Sequence, residues 1–321
     1  MISVVIPVFN EEESLHIFYD RLKAVLPAEA KMYECIFVDD GSTDKSLDIL
    51  KTLEKKDNTV RIFSFRRNQG KAEALTLGFQ KAKGDIVVTL DADLQDRPEE
   101  IGKLLKKQEE GYDVVCGWRK DRKDAAKMKF ISRIFNVFTG IIWGIKLHDY
   151  NCGLKVFTKD AAKSLYLYGG MHRFIPLLAF ENGFLVTEVA VTHEKRQFGK
   201  SKYGFSKIRN FPDMFTLLFL TRYAKRPLHF FAAAGSIVFL IGLGFFLYLW
   251  IDLQIIQHLV IGRRPLFFVS LVMMLAGLQL FFSGFLADLM INLHRAPQLT
   301  NDGVHHFLRF DSDLQNGRQD S

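Results

Sequence analysis

The sequence predicts an α/β fold: a mostly parallel sheet covered by helices on both faces, followed by two apolar helices near the C-terminus. Three observations predict it. Short apolar runs alternate with helical periodicities four times in the first 116 or so residues. Acidic or polar clusters follow the ends of those runs, where an open α/β sheet places its ligand chemistry. Two late stretches are uncharged for long enough to cross a bilayer. A length of 321 residues allows one large or two modest domains.

Ile2–Val8 reads as a buried strand with no basic lead-in, so no signal peptide is expected. After Phe9–Ser14, Leu15, Phe18, Leu22 and Leu26 recur at helical spacing. Asn10 or a neighbour suits the cap of that helix, and Glu11 and Glu12 suit its positive end. The other reading puts the Pro7–Asn10 loop beneath a nucleotide at the strand's carboxyl end. Glu34–Val38 is a second strand, ending in Asp39-Asp40-Gly41-Ser42-Thr43-Asp44. The turn needs one aspartate, which leaves the other for a base or ribose. Val60–Phe65 is a third strand. The helix after it, over Ala72–Lys83, has Ala72, Ala74 and Gly78 for close packing on the sheet. Lys71, just before, reads from its position first as a solvated charge. Neither Gly-x4-Gly-Lys-Ser/Thr nor Gly-x-Gly-x-x-Gly occurs, which excludes a P-loop and disfavours a dehydrogenase.

Val87–Asp96 (VVTLDADLQD) is the stretch the chain is organised around. An apolar strand runs into Asp91, Asp93 and Asp96, with Gln95 before the last. Clustered carboxylates repel one another unless a cation joins them, and an all-oxygen set suits Mg²⁺ or Mn²⁺ better than zinc. Such a cation keeps open positions for nucleotide phosphates. Pro98-Glu99-Glu100 opens another helix, and Tyr112–Cys116 is a further strand, followed by Gly117-Trp118-Arg119.

From Lys127 the pattern changes. Lys127–Leu147 is too apolar for a surface helix and too interrupted by Lys127, Lys129 and Arg133 to span a membrane, and reads as interfacial. His148–Phe157 is a polar turn entering a strand, with Asp149 beside an aromatic residue. A helix and a strand (Leu185–Thr192) precede a basic, glycine-jointed loop, Lys195–Gly204, whose lysines suit phosphate. Phe211–Tyr223 is an aromatic interfacial segment with a basic edge. Phe230–Ile251 and Leu266–Ile291 read as two spans. Gly277, Ser283, Gly284 and Ala287 give the second a small-residue face, the basis for expecting a homo-oligomer. Two spans leave the first domain and the polar, loose tail on one side. Basic Lys200–Arg226 and Arg295 mark that side as cytoplasmic, although Arg263 and Arg264 lie in the short loop. The predicted division is therefore 1–210 for the sheet domain, with a nucleotide half (1–118) and an acceptor half (119–210). An interfacial segment (211–227), a span (228–251), a loop (252–264), a second span (265–292) and the tail (293–321) complete it.

A net charge of +7 raises nucleic acid as a partner, but the aromatic–basic interleaving of such modules is missing, so an anionic membrane surface is expected instead. Cys35, Cys116 and Cys152 lack metal-ligand spacing, and Cys35 and Cys116 read as buried thiols; nothing points to an oxidising compartment.

Seven motifs in order, VVIPVFNEEESL, VDDGSTD, RRNQGKAEAL, LDADLQDRPEEI, GWR, DYNCGLKVF and RQFGKSKYG, followed by two spans, carry a resemblance across about nine-tenths of the chain. The chain resembles the family 2 inverting glycosyltransferases of GT-A (Rossmann-like) fold. More narrowly, it is similar to the polyprenyl-phosphate, dolichyl-phosphate mannose synthase-like hexosyltransferases. The resemblance implies that Pro7, Asn10, Glu12, Asp40, Lys71, Asp91 and Ala92 hold the nucleotide sugar. It makes Asp91, Asp93 and Gln95 the metal site, and Arg119, Arg133 and Lys202 the basic residues around donor and acceptor phosphates. Asp149 falls where the family carries an acidic residue proposed as base, so Asp93, Asp149 and Arg119 are the expected catalytic set. The Gln-x-x-Arg-Trp stretch of processive synthases is absent, which argues for one sugar per turnover. The expected reaction moves one hexose, from UDP-glucose or GDP-mannose, to undecaprenyl or dolichyl phosphate for cell-envelope glycan or glycoprotein assembly. An acceptor phosphate is largely dianionic near neutral pH and hardly needs a base. Asp149 is therefore expected mainly to orient the sugar or an arginine. The rival readings are a family 2 transferase with a protein or glycan acceptor, and a non-catalytic membrane adaptor; intact Asp40, Asp91 and Asp93 speak against the adaptor.

Overall fold

A computed structural model describes residues 1–29, 32–120, 140, 143–194, 227–252 and 265–316. The chain divides into two compact units, Met1–Asp213 and Met214–Ser321. Arg133, Lys202, the loop at 195–204, the segment at 211–226 and the loop at 253–264 lie outside the described residues, as does most of the helix expected over 127–147.

In the first unit β1 (Ile2–Val8), β2 (Tyr33–Asp39), β3 (Val60–Ser64) and β4 (Ile86–Thr89) alternate with α1 (Leu15–Glu29), α2 (Ser46–Lys56) and α3 (Lys71–Lys81). A 3₁₀ turn (Pro98–Glu100), α4 (Ile101–Gln108), β5 (Val114–Arg119), β6 (Lys155–Thr158), α5 (Lys159–Ser164), a second 3₁₀ turn (Met171–Phe174), α6 (Ile175–Glu181) and β7 (Val186–Val191) follow. The sheet order is β3-β2-β1-β4-β6-β5-β7. It is mostly parallel, as expected. The exception is β6, which runs antiparallel between β4 and β5.

The strands read as continuous apolar runs because both faces are covered. Successive side chains point to opposite faces. Val4, Ile6 and Val8 of β1 pack with α1, α2 and α4, through Phe18, Leu22, Leu50 and Leu104. Val5 packs on the other side with Ala74, Leu75, Phe79 and Ala161 of α3 and α5. A side chain at Gly78 would overlap Val5, so this glycine lets α3 lie close on β1. All three cysteines are buried and free.

The pairing of β1 with β4 ends at Val5 opposite Thr89, while β1 stays paired with β2 to Val8 and Asp39. Pro7 therefore lies beyond the last β4 partner, where its missing N–H removes no ladder bond on that side. The carboxyl ends of β1 and β4 part at this point and leave the crevice in which open α/β sheets bind ligands.

The second unit is two helices, α7 (Pro227–Leu249) and α8 (Pro265–Asn316). Pro227–Asp252 and Pro265–Ile291 are long and apolar enough to cross a membrane, and only 11% of each apolar window is buried. Ile237, Leu240, Leu275 and Phe282 point outward, a surface suited to lipid rather than water. The small-residue face of α8 is used within the chain. A side chain at Gly277 would lie 2.6 Å from the Gly235 carbonyl, and one at Gly284 would lie 2.6 Å from Phe231. That removes the observation on which self-association was expected. Helical backbone continues past Ile291 to Asn316, where the sequence reads as a loose tail. Extending a formed helix needs no new nucleus, and Pro297 withdraws a single donor.

Candidate active site

Three loops meet at the carboxyl edge of β1, β2 and β4. The loop after β1 is braced by the loop after β2. Asn10, at φ +52°, accepts from the Thr43 backbone N–H at 2.8 Å and donates its own N–H to Ser42 Oγ at 3.0 Å. The Glu12 carboxylate accepts from the Lys45 N–H at 2.9 Å. It thus serves the start of α2, not of its own helix, and neither earlier reading of this residue anticipates that. Both aspartates of the β2 loop are engaged. Asp39 accepts from Ser42 and from Ser64 Oγ (2.7 Å), while Asp40 accepts from the N–H groups of Gln69 (2.7 Å) and Gly70. The expectation of one left-over carboxylate is corrected: Asp40 ties the β2 and β3 loops together. Its burial raises its pKa against the pull of those two N–H groups.

Beyond β4 the chain turns sharply. Leu94 sits at φ +61°, a conformation that a branched side chain rarely takes, and is held there by complete burial. Ala92 is likewise buried, so any contact it makes with a ligand comes from its backbone. Asp93 accepts from the Gln95 N–H at 3.1 Å, and Gln95 in turn accepts from the Glu194 N–H at 2.9 Å. Asp91 is gripped by Lys71, whose Nζ lies 2.5 and 2.7 Å from its two oxygens. Lys71 is therefore a paired charge and not a solvated one. Burial works against ionisation of Asp91, but Lys71, then Lys155 and His172, outweigh it and hold its pKa below the usual value.

Asp96 is the carboxylate to which the sequence assigned no role. It is 4% exposed and accepts from the Leu154 N–H at 3.1 Å. Burial, with the charges of Asp91 and Asp93, pushes its pKa up to about 6. Asp91 and Asp96 converge over Gly153: a side chain there would lie 2.6 Å from Asp91 and 2.5 Å from Asp96. Gly153→Ala is accordingly expected to keep the fold by circular dichroism while weakening Mn²⁺-dependent nucleotide binding roughly tenfold, the size of one displaced charged contact. Isothermal titration reads it, and unchanged affinity would show that this approach is unimportant.

Arg119 and Asp149 form a two-pronged ion pair, Nε to Oδ2 at 2.6 Å and Nη2 to Oδ1 at 3.0 Å, with side chains 9% and 11% exposed. Burial opposes the Arg119 charge, but Asp149 outweighs it and raises the guanidinium pKa. Glu188 braces the pair by accepting from the N–H groups of His148 and Asp149, and Trp118 stacks on His148 with centroids 4.2 Å apart. Arg119 thus presents two of its donors to protein and not to phosphate, which corrects its expected role in part.

Among the described residues no group of three or more His, Cys, Asp or Glu side chains forms a ready metal cage. The oxygen-only donors still fit a hard cation. The charges of Asp91 and Asp93 already act on Asp96, and a cation that keeps positions for phosphate and water needs few protein ligands.

The Glycosyl transferase family 2 profile matches residues 3–166. This chain belongs to glycosyltransferase family 2. The family 2 chain is 37% identical over 296 residues to the dodecaprenyl-phosphate galacturonate synthase of Rhizobium johnstonii, covering 90% of this chain and 87% of that protein. It is 39% identical over 238 residues to the undecaprenyl-phosphate 4-deoxy-4-formamido-L-arabinose transferase of Photorhabdus laumondii, covering 74% and 72%. Its fold resembles glucosyl-3-phosphoglycerate synthase from Mycobacterium tuberculosis, crystallised with Mn²⁺, UDP-glucose and phosphoglyceric acid. That match has a TM-score of 0.51 and 21% identity, and covers 69% of this chain and 78% of the other. The glycosyltransferase assignment and the α/β, GT-A-like fold class therefore stand.

Proposed function

We propose that this glycosyltransferase moves one sugar from a nucleotide diphosphate to a polyprenyl phosphate at the cytoplasmic face of a membrane. The observation that carries the proposal is a family 2 acidic strand end in one chain with two spanning helices. Relatives named for dodecaprenyl and undecaprenyl phosphate, similar over most of the chain, support the acceptor. The donor is a nucleotide sugar: UDP-glucose or GDP-mannose from the resemblance, with galacturonate and formamido-arabinose added by the relatives' names.

The residues divide the work. Asn10, Asp40 and the turn at Leu94 shape the crevice for the nucleotide. Asp93, with Asp91 and Gln95 beside it, would hold Mg²⁺ or Mn²⁺, which when bound stabilises charge on the departing diphosphate. Lys71 keeps Asp91 ionised and in place. The acceptor phosphate attacks the anomeric carbon as the bond to the diphosphate oxygen breaks. A dianionic phosphate needs positioning more than deprotonation. Arg133 and Lys202, outside the described residues, are proposed to steer it, and the Arg119–Asp149 pair to form a rigid wall beside it.

The test supplies radiolabelled UDP-glucose, GDP-mannose and UDP-galacturonate to purified protein with undecaprenyl phosphate and Mn²⁺. Label moves into the organic phase with at least one donor, and chelator abolishes the movement. Label transferred to protein or glycan, or remaining aqueous with every donor, overturns the proposal.

A further inference from the structure

The acidic turn is tied to the chain leaving the edge strand by a group of charges that the mechanism above does not use. Past β7 the chain runs antiparallel beside the turn: His193 pairs with Asp96, and the Glu194 N–H donates to the Gln95 carbonyl at 2.9 Å. The Glu194 carboxylate is held by two arginines. Arg21 of α1 reaches it with Nη2 at 3.2 Å, and Arg97, just past the turn, lies 3.2 Å from it through Nε. Glu99 closes the group from the other side. It accepts from Arg21 Nε at 3.0 Å and Nη2 at 2.9 Å, with Arg97 Nε 3.5 Å away. The two arginines and two glutamates balance in charge, and all four side chains are between 22% and 39% exposed. Arg21 has little room to drift, because Phe18 and Leu22 on the same helix are fully buried. Isolated half-exposed pairs add little to stability, so a closed group of four that joins residues 173 apart invites a role beyond it.

We propose that Glu194 is a positioning residue for the cation site: pinned by Arg21 and Arg97, it holds the Gln95 backbone, and through it the Asp93 carboxylate, in the direction the ion needs. This rests on the reading of Asp93 given above. The route is short. Gln95 is the link, because its N–H donates to Asp93 Oδ1 at 3.1 Å while its carbonyl accepts from Glu194. The rest of the turn is fixed from within the core, by Asp96 accepting from the Leu154 N–H and by the buried Leu94. At Gln95 the hold comes from Glu194, so freedom gained there reaches Asp93 first. Outer partners that orient a metal-ligating carboxylate typically change metal affinity about ten- to a hundredfold when they are lost. The Glu194 side chain spends its oxygens on the arginines, so it acts on the geometry of Asp93 and not on the ion itself. Nothing in the sequence pairs Arg21 with Glu194; the fold brings them together.

The experiment measures Mn²⁺ affinity by electron paramagnetic resonance, on full-length protein in nanodiscs with UDP or GDP in excess. Wild type is compared with Asp93→Ala, Glu194→Gln, Arg21→Gln, the Arg21→Gln/Glu194→Gln double variant and Arg61→Gln, and circular dichroism checks each fold. Arg61→Gln is the structural control: it breaks a 2.6 Å ion pair with Glu34 at the opposite, amino-terminal ends of the strands. Glu194→Gln and Arg21→Gln are each expected to weaken Mn²⁺ binding about tenfold. The double variant is little worse than either, because both break one linkage. Arg61→Gln lowers the melting temperature and leaves the affinity as in wild type. Unchanged affinity in Glu194→Gln or in Arg21→Gln overturns the inference, and so does equal weakening in Arg61→Gln, which would mean a general loosening. A wild type that holds no Mn²⁺, or an Asp93→Ala variant that holds it as well as wild type, overturns the reading of the site and the inference with it.

Discussion

Asp93→Ala is expected to lower turnover at least about a thousandfold, the largest single loss in the molecule. The chemistry demands it. A nucleoside diphosphate leaves with charge that water would otherwise stabilise, and inside a crevice that task falls on groups already in place. Asp91 is answered by Lys71 and Asp96 accepts from the Leu154 N–H, and the proposed mechanism gives Asp93 the cation on the nucleotide side. Its loop is also fixed. The Gln95 N–H bonds its carboxylate, and the Gln95 carbonyl is bonded by Glu194. Asp93→Asn keeps the shape and the turn while removing the charge, so it should be nearly as damaged as Asp93→Ala. Two readouts check this: single-turnover transfer across a Mn²⁺ titration, and nucleotide binding with and without the ion. Full-speed transfer by Asp93→Ala in excess chelator would end the proposed mechanism.

What the sequence could disclose follows from how local each signal is. The strands at Ile2–Val8 and Ile86–Thr89 were legible because burial on both faces demands unbroken apolar runs. The two spans were legible from length and polarity alone. The direction of β6 was not, since nothing in Lys155–Thr158 distinguishes a strand arriving from above from one arriving from below. The acidic turn showed its chemistry in its spelling, yet the partners of Asp91 come from α3 and β6, some 20 and 60 residues away in the chain. The backbone N–H groups from which Asp40 and Glu12 accept belong to other loops, so a linear reading could not supply them. Gly153 lies in the DYNCGLKVF motif, but only the fold shows that Asp91 and Asp96 converge on it.

Asp149→Asn is expected to reduce turnover about a hundredfold while leaving the acidic limb of the pH–rate profile unchanged. A general base must present an oxygen to the proton it takes. Both Asp149 oxygens instead accept from Arg119, and Oδ1 also accepts from the Asn151 N–H at 3.1 Å. The acceptor phosphate has lost its second proton near neutral pH without help. The loss on substitution should therefore come from geometry. Removing one partner leaves Arg119 charged and enclosed, a situation that costs about 3–5 kcal/mol in buried pairs. The guanidinium would then swing away or draw in water, and the wall beside the acceptor would loosen. Arg119→Met should produce a defect of similar size, and the double variant should be little worse than either single one, because the two residues act as a unit. Were Asp149 the base, the outcomes would separate. Asp149→Asn would lose the acidic limb, Arg119→Met would retain it, and their effects would multiply. Measuring kcat from pH 5.5 to about 9 for the three variants, with thermal melts to register the freed charge, distinguishes an orienting carboxylate from a proton acceptor.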